Sequence, residues 1–193
     1  MDDPYFQLQQ LAAARQSTRT YSDKPVAQED IDKIIAIAQT SPYASRKKNW
    51  KIHTITSDET KKQLAQAVKD EVQTYSKKMR DDYRAGFLEY AQNFDFFRSA
   101  PVLLIPDFRV VKPVSMMLDA TVPEIEQWER DTYVKSISSV ITMILLAAQS
   151  LDLGACYMTG PLIAESKIKQ ILNIKPNNSI GAIIPIGYGD NKS

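Results

Sequence analysis

The sequence is poor in the residues that build metal and disulfide sites. It has one cysteine, Cys156, and one histidine, His53, in 193 residues. A lone cysteine excludes an intramolecular disulfide and accords with a reducing cytoplasm. The two together are too few for a His/Cys metal site. Glycine is scarce, at six residues, and no predicted strand runs into the GxGxxG turn of a doubly wound nucleotide fold. Neither sign of charge is in excess: 24 Lys and Arg stand against 23 Asp and Glu, a net +1. No global field therefore favours nucleic acid or a membrane surface. The longest uncharged stretch, residues 136–151, falls short of the roughly 20 apolar residues of a membrane helix and carries Ser, Thr and Gln. The opening Met1-Asp2-Asp3-Pro4 lacks the basic and apolar regions of a signal peptide. Repeats, low-complexity runs and Gly/Ser linkers are absent too.

What remains is an ordinary globular composition, 44% apolar and 24% charged. It predicts one compact domain over residues 1–193, able to bury a core without staples. Residues 5–14 have helical character, with Leu8, Leu11 and Ala12 on one face. Ile31, Ile34, Ile35 and Ala38 follow the i, i+3, i+4, i+7 spacing of an amphipathic helix, ended by Ser41-Pro42. Residues 51–56 alternate as a strand. Asp58 is placed to cap a charged helix reaching about residue 82. An aromatic-rich helix is expected near 87–98 and a buried strand at 101–105. Residues 106–129 read as an excursion over the core. Residues 131–151 form a helix apolar on every side, hence buried on every side, against its own core and a second subunit. Short strand 154–157, helix 164–172 and strand 180–186 close the chain. The Lys61-Lys62 and Lys77-Lys78 pairs read as solvated helix faces, His53 as structural, and Cys156 as a small buried residue. The order suits an α+β fold, a sheet covered by helices.

Three constellations carry chemistry. Arg15, Ser17 and Arg19 alternate, so an extended segment would point all three to one face, and in a helix Arg15 and Arg19 would still share one. A phosphate monoester wants that set, because charge-assisted bonds from guanidinium groups are strong and directional. Gly154-Ala155-Cys156-Tyr157-Met158-Thr159-Gly160-Pro161 follows the buried helix, and its glycines permit close approach to a flat ligand. Ser41-Pro42-Tyr43-Ala44-Ser45, followed by Arg46, Lys47, Lys48, Asn49 and Trp50, could close over an anionic or aromatic ligand. Taken singly, each also fits a plainer account: scattered surface charges, a strand–turn connection, or a solubilising loop anchored by Trp50.

Their order carries more than any one of them. An RxSxRxY segment, a Pro-Val step into an I-x-x-I-I helix, then Ser-Pro and a Trp resemble the start of the nitroreductase family. The middle segment 93–101, the closing GACYMTGPL, and Ile184-Pro185-Ile186-Gly187-Tyr188-Gly189 resemble its later parts. The likeness runs over roughly residues 12–189. It implies a nitroreductase-like α+β fold, with a central mixed or antiparallel sheet flanked by helices, and a homodimer with FMN at the subunit interface. By position, Arg15, Ser17 and Arg19 would hold the FMN phosphate. Pro42, Tyr43, Ala44 and Ser45 would contact the flavin from the other subunit. Thr159 and Gly160 would lie against the ring system, with backbone N–H groups near N5. Two departures stand out: Tyr43-Ala44 replace the family's frequent serines, and Arg46 would set a cation near the flavin or its phosphate. Of the basic residues that relatives carry beyond the final Gly-Tyr-Gly, Lys192 remains. The activity implied is reduction of a nitroaromatic, quinone or similar small-molecule acceptor by NADH or NADPH. A specialised flavoenzyme (oxidase, dehalogenase or flavin-fragmenting) and a non-enzymatic flavin-binding protein are the alternatives.

Overall fold

The computed structural model describes residues 3–44 and 48–190. Its spine is β2 (Val102–Arg109), buried along nearly its whole length. Alternate residues of a strand point to opposite faces, and β2 uses both. Leu103 and Ile105 join Leu64, Val68 and Val72 of α3 (Asp58–Ser76) in one apolar cluster. Val102, Leu104 and Phe108 join a second cluster, with α2 (Gln28–Ala38) and the long helix α5 (Pro123–Ser150). The sheet is thus sandwiched between helix layers. α2 buries Ile31, Ile34 and Ala38, as their spacing predicts, while Ile35 is only partly buried.

Every strand pair is antiparallel. The order is β1 (Trp50–Ile55), β2, β5 (Ile184–Gly187) and β3 (Gly154–Ala155), with β4 (Asn178–Ile180) also on β2. The strand expected over 180–186 is therefore two. Gly181 N–H still donates to Pro106 O (2.8 Å), but Ile183 exchanges its bonds with Met158 on the opposite side. That hand-over breaks the pairing with β2 and ties residue 158 to the sheet.

Other boundaries moved for equally local reasons. β2 runs four residues beyond Ile105, because Pro106 stands opposite Ile52 and Asp107 opposite Lys51 inside the ladder. The helix expected from Asp58 to about residue 82 ends at Ser76, and the aromatic-rich helix expected near 87–98 runs from Asp81 to Ala91 instead. Ser57, not Asp58, caps α3 by accepting from Thr60 N–H, and α4 (Asp81–Ala91) starts afresh after residues 77–80. A 3-10 turn, Phe96–Ser99, replaces the end of the helix expected to reach 98. α5 starts at Pro123, eight residues before Asp131, since proline suits the first helical turn. At 28 residues α5 is long and apolar enough to cross a bilayer, against the shorter span expected. Half of its most apolar stretch is buried within this chain, as in a core helix. A 3-10 turn, Gly160–Ala164, leads into α6 (Glu165–Ile171). α1 (Pro4–Ala14) lies outside both clusters and buries no residue.

Candidate functional site

Arg15 caps the end of α1 in extended conformation, and the chain beyond it forms strand-type bridges at Ser17 and Tyr21. Ser17 forms a parallel bridge with Ala155 of β3, and Thr18 N–H donates to Ala155 O (3.1 Å). Tyr21 pins the far end. Its buried hydroxyl donates to Thr18 O (2.7 Å) and reaches Pro185 O (3.3 Å). Burial, with Cys156 nearby, pushes that hydroxyl well above the ordinary phenol range despite Arg19, so it stays a neutral donor. The C-terminal end closes the edge: Tyr21 bridges Gly189, and Asp190 N–H donates to Thr20 O (3.1 Å).

Glycine makes this approach possible. A Cβ at Gly154 would lie 2.7 Å from Cβ of Thr18, and one at Gly187 would lie 2.6 Å from the Pro101 ring. Only bare backbone lets the RxSxR segment lie so close to the strand. Ser17 and Arg19 are exposed and Arg15 is half-buried. Arg15 and Arg19 enter no ion pair with a carboxylate among the described residues. Arg19 makes one long bond to Ser17 O (3.4 Å). Two uncommitted guanidinium groups and a hydroxyl on alternate positions fit a phosphate monoester. Thr159 and Gly160 follow Met158, which the bridge to Ile183 holds. A Cβ at Gly160 would lie 2.5 Å from the ring of Phe94, so that backbone is backed by an aromatic ring.

The second half of the predicted set lies elsewhere. Ala44 N–H donates to Ser136 Oγ of α5 (3.1 Å). The Tyr43 ring packs on Trp50 and Tyr133, centroids 6.2 and 6.1 Å away. Pro42 is exposed. Burial, helped by Tyr133, raises the Tyr43 hydroxyl above its ordinary value. Ser41 Oγ, Tyr43 OH, Asn49 Oδ1 and Trp50 Nε1 are buried without a hydrogen-bond partner among the described residues. Ser45, Arg46 and Lys192 lie outside those residues.

Tyr157, just before Met158, shares a hydrogen bond with Ser138 Oγ of α5 (3.2 Å). A helix turns about 100° per residue, so Ser138 stands roughly 160° from Ser136, nearly across the helix. One chain therefore brings Arg15, Ser17 and Arg19 to the strand that leads to Thr159 and Gly160, and holds Pro42–Ala44 on the other side of α5.

Three groups escaped the sequence reading. Lys61 is not solvated: it is 4% exposed, donates to Ala100 O (2.8 Å) and pairs with Asp58. Asp107, 1% exposed, is held by His53 (2.5 Å) and Asn178 (2.6 Å), with Lys51 at 3.8 Å. Burial alone would raise its carboxyl, but those bonds and Lys51 together hold it below the usual range. Phe94 behind Gly160 is the third. Alternation about β2 could have flagged Asp107; nothing local flags Lys61 or Phe94.

Comparison with known proteins accords with this architecture. An iodotyrosine deiodinase of Nematostella vectensis is 26% identical over 90% of this chain, which spans 64% of that relative's length. A BluB-like flavoprotein from Clostridium difficile superposes with a TM-score of 0.85 at 24% identity, over 96% of this chain and 91% of the other. An FMN-dependent nitroreductase from Clostridium difficile gives 0.66 at 21%, over 95% and 88%. The model of the nitroreductase family matches residues 12–188. That stretch takes in the extended RxSxR segment, both helix layers and the whole antiparallel sheet, and the chain belongs to the nitroreductase family.

Proposed function

We propose that the chain is an FMN-dependent oxidoreductase that carries electrons from NADH or NADPH to a small, planar, electron-poor acceptor such as a nitroaromatic or quinone. The observation that carries it is the Arg15–Ser17–Arg19 segment, laid by Gly154 along the strand that leads to Gly160. Arg15, Ser17 and Arg19 would bind the FMN phosphate, and the backbone at Thr159–Gly160 would border the ring. FMN, when bound, would supply the two-electron chemistry, taking a hydride from the nicotinamide and releasing two electrons to the acceptor. The chain's own task is to bind, orient and electrostatically tune that group. One site serving both substrates in turn implies ping-pong kinetics.

The active unit in this reading is a homodimer. Pro42–Ala44 stands across α5 from Tyr157, so a second copy is what would bring that segment to the site. α1 supports this, since Tyr5, Phe6 and Leu8 are exposed, an apolar face of the kind a subunit covers.

A second reading is reductive dehalogenation of a halogenated aromatic, favoured by the likeness to iodotyrosine deiodinase. The test is the visible spectrum of the FMN-loaded protein under anaerobic NADH or NADPH, followed by acceptor. Bleaching, then recovery with a nitroaromatic, supports the first reading. Recovery only with an aryl halide, with halide released, supports the second. A flavin band that neither nicotinamide bleaches overturns the first.

A further inference from the structure

Sheet order sets β1 and β3 at opposite edges, so the start of β1 stands across the sheet from the Arg15–Ser17–Arg19 segment. There the start of β1, the end of β2 and the turn before β4 converge. Lys51 lies opposite Asp107, and Arg109 opposite Asn178. Alternation puts Asp107 and Arg109 on one face of β2, and residues directly opposite them share that face. Lys48 comes just before β1, and Lys175 opens the turn into β4. With Trp50 and Asp107 these cations line a cleft of about 570 Å³, within the size range of small-molecule sites.

Four cations thus share one cleft with a single carboxylate, in a chain of net charge +1. That carboxylate is already committed. Asp107 is 1% exposed, and its oxygens are held by His53 (2.5 Å) and Asn178 (2.6 Å), with Lys51 at 3.8 Å. Arg109 and Lys175 are exposed and enter no ion pair among the described residues. Lys48 Nζ donates to the uncharged Gln39 O (2.5 Å). The backbone beneath them is fixed. Arg109 N–H donates to Asn49 O (2.9 Å), and Asn49 Nδ2 donates back to Arg109 O (2.6 Å). Lys169 Nζ donates to Pro176 O and Asn178 O (both 3.0 Å), while Asn178 N–H closes the turn on Lys175 O (2.9 Å). Like charges gathered this way repel one another, and an anion among them removes the repulsion. A positioned backbone lowers the ordering cost of binding it.

The spread of the charges selects the anion. A lone phosphate is served by two or three donors, whereas cations on three separate segments match a chain of linked phosphoryl groups. A concave site in a nearly neutral chain suits a small ligand better than a nucleic-acid polymer, which draws on a broad basic field. We propose that this cleft binds a small polyphosphate, two or three linked phosphoryl groups free or carried on a nucleotide, through Lys48, Lys51, Arg109 and Lys175. The site is separate from the one assigned to the FMN phosphate, and it stands whether or not that segment holds FMN.

The test is calorimetric titration of the full-length protein, presaturated with FMN, with inorganic tripolyphosphate in low salt without divalent metal. Wild-type protein is expected to bind one equivalent, at least tenfold more tightly than orthophosphate. Arg109→Ala and Lys175→Ala should each weaken tripolyphosphate about fivefold or more, as loss of a charge-assisted bond requires. Both residues are exposed, so the melting temperature should hold. Lys77→Ala, at an exposed lysine beyond α3, and Arg19→Ala should leave tripolyphosphate binding unchanged. ATP as tight as tripolyphosphate would assign the cleft to nucleotides, and exclusion of ATP would assign it to free polyphosphate; either supports the inference. Absence of tripolyphosphate binding by the folded wild type overturns it. So does equal weakening by Lys77→Ala, the mark of diffuse surface charge, or loss of binding in Arg19→Ala, which would move the anion to the other site. Retention of single-stranded RNA, lost in Arg109→Ala, with no response to tripolyphosphate overturns the small-ligand class. Failure to take up FMN with tripolyphosphate binding intact overturns the oxidoreductase reading and leaves this one standing.

Discussion

The two halves of the candidate site are built by opposite means. The Arg15–Ser17–Arg19 half is extended backbone pressed onto β3, and its chemistry lies in side chains that make few or no bonds to the chain itself. Its rigidity comes from backbone pairing, from the Tyr21 hydroxyl and from the absence of a Cβ at Gly154. The Pro42–Ala44 half hangs on α5 by one hydrogen bond to Ser136 and by the Tyr43 ring among Trp50 and Tyr133. There the side chain is turned inward for packing, and backbone is what it leaves to a ligand. A half that binds with free side chains can lose affinity without losing stability. A half that is held by packing loses stability first.

The largest expected effect breaks the comparison across subunits. Arg19→Ala and Ala44→Glu chains, each poor in FMN binding alone, should restore about a quarter of normal sites when co-expressed. Half of randomly paired dimers are mixed, and each holds one intact site of two. Occupancy measured by flavin absorbance would show this; no recovery would place both halves in one chain's site. Gly154→Ala comes next. Its Cβ would press on Thr18, costing about 1–3 kcal/mol in urea unfolding, and FMN affinity should fall at least tenfold as the segment shifts. Arg19→Ala should weaken FMN by about 1.5–3 kcal/mol, the range of a charge-assisted bond. Its melting temperature should stay unchanged, because the residue is exposed. Tyr43→Ala should show the reverse pattern, losing about 2 kcal/mol of stability from half-buried aromatic surface with a smaller change in FMN affinity.

The smallest effect is a control outside both halves. The Asp107 carboxyl is held below its ordinary value, so its stabilisation is present above the unfolded-state value of about 4 and is lost as pH falls through the folded one. Asp107→Asn should therefore lower the melting temperature at pH 7, and the gap to wild type should narrow at pH 3. FMN affinity at pH 7 should not change, which separates this cluster from the site.

Legibility followed the range of the interactions. α2 was readable because its burial repeats within one helix, at Ile31, Ile34 and Ala38. The extended character of residues 15–19 was one of two geometries left open by spacing, since alternate arginines share a face in a strand and nearly so in a helix. β2 was cut short at Ile105 because Pro106 and Asp107 look like strand breakers. Inside the sheet the proline carbonyl accepts from Gly181, and the aspartate finds His53 and Asn178, 54 and 71 residues away. The charged first turns of α5 hid its start, although Pro123 was the signal for it. Lys61 looked solvated because a helix of alternating charges gives no hint of the Ala100 carbonyl beyond it.

The sequence by itself determined the family order of motifs, the two-faced burial of the central strand, and which side chains could bind a phosphate. These rest on local spacing and residue chemistry. Tertiary structure alone decided that Thr18 presses on Gly154, that Phe94 backs Gly160, and that Pro42–Ala44 lies across α5 from Tyr157. Each depends on contact between segments far apart in the chain. Such contacts are set by packing of helices on a sheet, where a missing methyl group at one glycine decides whether two segments can meet.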